Sequence, residues 1–68
     1  FMELKQYYID TSPLSPDKQQ EAIYFIEKNA WTSQYIPNSK GCFHCDWEEN
    51  INPSLFPLLS GCIVRELP

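Results

Sequence analysis

Apolar and polar positions alternate along this chain, and the period of alternation changes from one stretch to the next. In MELKQYYID the period is two. Tyr7 and Ile9 fall on one face, and Leu4, Gln6 and Tyr8 on the other, as in a half-buried strand. The turn cluster Asp10-Thr11-Ser12-Pro13 ends it.

The period then shifts to that of a helix. In SPDKQQEAIYFIEKNA, residues Gln19, Ala22, Ile23, Ile26 and Ala30 recur at i, i+3, i+4 and i+7, and Phe25 widens the stripe. Ser15 is placed as N-cap and Pro16 at the first helical position, where a missing N–H costs nothing. Asp17 and Lys28 complement the helix dipole at its two ends, and Lys18, Glu21 and Lys28 fall on the wet side.

Period two returns in WTSQYIPNSKGCFHCDW. Trp31, Ser33 and Tyr35 alternate with Thr32, Gln34 and Ile36, and Pro37-Asn38-Ser39-Lys40-Gly41 supplies a turn into a second strand from Cys42. Asn52-Pro53 repeats the cap-and-proline pattern and predicts a short second helix through Leu59, stopping at Gly61. Pro57 restricts it to a turn or two, partly 3₁₀. CIVREL closes the chain as a final strand.

The order β-α-β-β-α-β predicts an α+β domain with a four-stranded antiparallel sheet and both helices on one face. This is the ferredoxin-like, split βαβ arrangement, with the first and third strands central. The alternative is a three-stranded sheet with one helix, residues 50–60 being irregular. Either way residues 1–68 form a single domain. Phe1 ahead of Met2 reads as an addition to a native start at Met2.

Composition adds a packed core: 43% hydrophobic and 15% aromatic residues with a net charge of −4 are not those of a disordered chain. Three unevenly spaced cysteines make no disulfide framework, so a reduced, cytoplasmic setting is expected. The most apolar segment, LFPLLSGCIV, is about half the length that spans a bilayer, and MELKQYYID does not resemble a signal peptide. A pI near 4.6 disfavours a nucleic-acid backbone as partner and suits a basic protein surface. Single-stranded RNA is disfavoured further by scattered Lys and Arg. With two glycines there is no phosphate-cradling loop, and turn and cap account for both Ser-Pro pairs of SPLSP.

The densest chemistry lies in GCFHCDW. On a strand, Phe43, Cys45 and Trp47 share one face, and Cys42, His44 and Asp46 the other. Two cysteines three apart then cannot ligate one ion. A zinc module would need a tight turn here, with Cys42 and Cys45 converging, Cys62 third and His44 a strained fourth ligand. A redox pair fits no better, because Asp46, Glu48 and Glu49 raise thiol pKa values rather than lowering them. His44 and Asp46 suggest an acid–base pair, yet no nucleophile beyond Cys42 accompanies them. No enzyme, cofactor or resident metal is expected.

What is left is a binding surface. Asp46, Glu48 and Glu49 around Trp47 make an acidic patch with an aromatic anchor, suited to a larger protein with a basic surface. Tyr8 and His44 on the sheet face away from the helices are the second candidate. The expectation is a small acidic inhibitor or adaptor, one version being a phage or mobile-element protein that blocks a host protein's nucleic-acid site.

Overall fold

The computed structural model describes residues 2–68. Strand β1 (Leu4–Asp10) leads into helix α1 (Pro16–Asn29), followed by β2 (Thr32–Tyr35) and β3 (Cys42–Glu48). Two one-turn 3₁₀ helices, Pro53–Leu55 and Pro57–Leu59, precede β4 (Ile63–Glu66). The strands form one four-stranded antiparallel sheet in the order β2-β3-β1-β4, so β1 and β3 are central.

The sheet has the expected strands, and the short second helix expected through Leu59 takes the form of two single 3₁₀ turns, so α1 is the one α-helix among the described residues. Pro57 brings no N–H, and its ring would collide with the Pro53 carbonyl four residues back, so the turn begun at Pro53 cannot lengthen. Asn52 caps that first turn, its Oδ1 accepting from Ser54 N–H at 3.0 Å. Ser15 occupies the N-cap of α1 without using its side chain, so Pro16 and Asp17 alone favour that terminus.

Alternation decides what is buried. Tyr7 and Ile9 of β1 and Phe43, Cys45 and Trp47 of β3 point to the face covered by α1 and the 3₁₀ turns. Ala22 and Ile26 come down from the helix and Leu59 from the second turn, with Ile23, Phe25 and Phe56 around them. Phe56 joins the two layers, edge-on to Phe25 at 5.0 Å and tilted against Trp47 at 5.6 Å. Such pairs add about 0.5–1.5 kcal/mol beyond area burial, a useful margin in so small a core.

A polar latch fixes the helix to the hairpin. Buried Thr11 donates its hydroxyl to the Gly41 carbonyl at 2.7 Å, and the Gln19 amide donates to Thr11 Oγ1 at 3.2 Å and to the Lys40 carbonyl at 2.7 Å. Gly41 has φ 114°, which glycine alone adopts at no steric cost, and a Cβ there would collide with Gln19 and Thr11.

Candidate functional site

Because α1 and the 3₁₀ turns cover one side of the sheet, the other side is left open among the described residues. Register places its side chains in rows. Gln34, His44, Tyr8 and Arg65 form one row across all four strands, and Thr32, Asp46 and Gln6 the next. Cys42, Asp10 and Ile63 lie on one side of these rows, and Glu48 opposite Leu4 on the other.

Tyr8 is the centre of the first row. Its hydroxyl donates to Cys42 Sγ at 3.1 Å, its ring meets His44 edge-on at 6.1 Å, and the Arg65 guanidinium sits 4.9 Å over its centroid. The bond to Cys42 and partial desolvation hold the phenol above its ordinary pKa, with the charge of Asp10 adding and Arg65 opposing. For Asp10, desolvation works upward but is outweighed by hydrogen bonds from Ser12 and Cys42 and by Arg65, so its pKa is lowered. Beside this row lies a shallow depression of about 440 Å³, lined by Gln6, Thr32, Gln34, His44, Asp46 and Leu67. Thr32 donates to Asp46 Oδ2 at 2.6 Å on its floor.

The end of the face is acidic. Glu48 and Glu49 border a second depression with Glu3, Met2 and Asn50, and the Glu49 N–H donates to the Glu3 carbonyl at 3.0 Å. The carboxylates Glu3, Asp10, Asp46, Glu48 and Glu49 thus lie on this face or at its edge, with Arg65 as the cation among them. Lys5 points to the other side, 3.9 Å from Glu66, and Lys18 and Lys28 are on α1. The net negative charge is concentrated where no helix covers the sheet.

The residues expected to bind a partner separate here. Tyr8, His44, Asp46 and Glu48 share the open face, and Glu49 adjoins it. Trp47 does not. It is 1% exposed, in the core against Phe56, so its assignment as a surface anchor is corrected. Neighbours in a strand point to opposite faces, and a ring flanked by acids in sequence is not flanked by them in space. The thiols separate in the same way. Cys42 and His44 are on the open face, Cys45 is in the core, and Cys62 packs at the core's margin, so the four do not converge. Among the described residues no three His, Cys, Asp or Glu side chains are grouped to hold a metal ion, and all three cysteines are free thiols.

Burial pushes the Cys45 thiol up to about 11, assisted by Asp46 and opposed by the nearby Trp47 indole. That indole N–H has no partner at full hydrogen-bond geometry, so its contact with the sulfur is weak. Cys62 is also raised, by burial and then by Asp10. Neither is an activated nucleophile.

Sequence reasoning put Gln6 on the face of Tyr8 without making it a site residue, and it missed Glu3, Thr32 and Arg65. The alternation of β1 and β4 carried a signal for Gln6 and Arg65, but only pairing register shows that Arg65 lies over Tyr8. Comparison with known proteins finds no matching family model, curated protein or solved structure. Among the described residues no helix is long and apolar enough to cross a membrane.

Proposed function

We propose that this protein is a small non-catalytic interaction module, an inhibitor or adaptor that binds a basic surface of a larger protein through the open face of its sheet. The carrying observation is the charge distribution: Asp46, Glu48 and Glu49, with Glu3 and Asp10, line an uncovered face on which Arg65 is the cation. A relatively flat β-face with carboxylates around a Tyr8–His44 centre offers charge for steering and an aromatic for contact. The surroundings of the thiols and His44 favour binding over chemistry, since Cys42 accepts from Tyr8 and no activated nucleophile stands beside the imidazole.

On the same footing, the sheet is read as a ferredoxin-like split βαβ whose second helix is reduced to two 3₁₀ turns. Strand order β2-β3-β1-β4 with all neighbours antiparallel supports this.

The test is mapping by amide chemical-shift perturbation, using ¹⁵N-labelled protein titrated with a basic protein captured from the source cell. Perturbations confined to Gln6, Tyr8, His44, Asp46 and Glu48 and their strand neighbours are expected. Perturbations centred on the outer face of α1, around Glu21 and Lys28, would overturn the reading.

A further inference from the structure

The two edges of the sheet are built differently. Outer strand β4 reads Ile63-Val64-Arg65-Glu66, so charge blunts that edge, while a proline follows two residues beyond each outer strand, Pro68 after β4 and Pro37 after β2. Outer strand β2 reads Thr32-Ser33-Gln34-Tyr35, with no charge, proline or glycine, and every residue of it is exposed. Trp31 beside it is 59% exposed and Tyr35 46%. An edge without such guards is a template for another strand.

The register shows what that edge offers. Ile36 N–H donates to the Cys42 carbonyl at 2.9 Å, so in the antiparallel alternation the even-numbered residues of β2 turn their main-chain groups toward β3. The main-chain groups of Ser33 and Tyr35 therefore point outward. From this we infer that β2 pairs with β2 of a second copy of this chain, antiparallel and centred on Gln34.

Ser33 and Tyr35 of each copy then exchange main-chain hydrogen bonds with Tyr35 and Ser33 of the other. The two-fold axis runs perpendicular to the sheet through the Gln34 pair. Each Tyr35 lies opposite Ser33 of the second copy, on the helix-bearing side. A second copy fits better than a basic partner because this edge is uncharged and self-complementary, while the carboxylates lie on the open face. The axis also sets both open faces on the same side of one eight-stranded sheet, doubling the acidic surface without adding a residue. A strand pair this short is a small interface, so association in the micromolar range is expected.

The experiment is sedimentation equilibrium on the full chain from about 1 to 500 μM, with Gln34→Lys and Gln34→Glu as variants. The wild type should move from the 8.0 kDa monomer toward twice that mass as concentration rises. Each variant sets like charges directly opposite one another across the axis and should shift the midpoint about two- to fivefold. Mixing the two variants should restore the dimer through the opposite-charge pair. Gln34 is exposed with its side chain on the open face, so both variants should fold, which circular dichroism checks. A wild type that stays monomeric throughout, or variants that dimerise as well as the wild type, would overturn the inference. Neither result bears on the acidic face, which is tested separately.

Discussion

At the scale of single residues, Cys42 and Cys45 show how one strand gives identical side chains different properties. Cys45 is 2% exposed between Phe43 and Trp47, whereas Cys42 lies on the open face and accepts from Tyr8. Cys45→Ser should therefore cost about 1–3 kcal/mol in urea unfolding, since it exchanges a thiol at home in an apolar core for a hydroxyl that burial desolvates. Cys42→Ser keeps an acceptor for Tyr8 and should change stability by less than roughly 0.5 kcal/mol. The same burial makes stability depend on pH. Below the thiol's ordinary value of 9.0 it is protonated folded or unfolded, and its contribution is whole. As pH rises from 9.0 towards about 11, the unfolded chain ionises first and stability falls. Unfolding curves for wild type and Cys45→Ala should diverge over that window, and parallel curves would show that the thiol is not desolvated. Gly41 is the other sensitive position. Gly41→Ala combines a left-handed φ with a collision against Gln19 and Thr11, so a loss of about 1–3 kcal/mol and a lower Tm are expected.

At the scale of elements, the apolar stripe of α1 makes the sharpest contrast. Ile26 is fully buried among the core side chains and Glu21 is exposed on the far side. Ile26→Ala should cost about 2–5 kcal/mol by transfer and cavity terms, a large fraction of what a domain this size has. Glu21→Ala should cost under roughly 0.5 kcal/mol, and equal losses would mean that the helix packs by another face. This stripe was legible in sequence because a 3.6-residue period survives wherever one side of a helix is dry. The strands were legible for the same reason at period two, including the opposed faces of Cys42 and Cys45. Residues 53–59 were less so. Cap, proline and apolar residues all occur there, but Pro57 leaves no length over which a period could show. The open face was legible only in part. Alternation put Tyr8, His44 and Asp46 on it, but which residue of β4 meets Tyr8 depends on register, a long-range property without a local signature. Trp47 was misplaced because its acidic neighbours in sequence drew it to the surface they occupy, although its strand parity assigned it to the core.

At the scale of the whole molecule, the question is whether the acidic side of the sheet steers association. Glu48 and Glu49 are the substitutable part of that side, since Glu48 is on the strand's open face and Glu49 in the turn after it, and neither takes part in a salt bridge of the described residues. Reversing both to Lys should leave unfolding midpoints nearly unchanged while adding four units of positive charge at one end of the face. If binding to a basic protein is steered there, the on-rate should fall by about tenfold or more at low ionic strength, with a smaller effect on the off-rate. The loss should shrink as salt rises towards 0.5 M, because the screening length then falls to a few ångströms. A matched reversal on the other side of the molecule, Glu21 and Glu27 of α1 to Lys, changes net charge equally but lies away from the sheet. It should slow association much less. Stopped-flow association against the captured partner separates the two cases. Equal slowing by both pairs would mean that net charge alone matters, and the open face would lose its claim to be the binding surface.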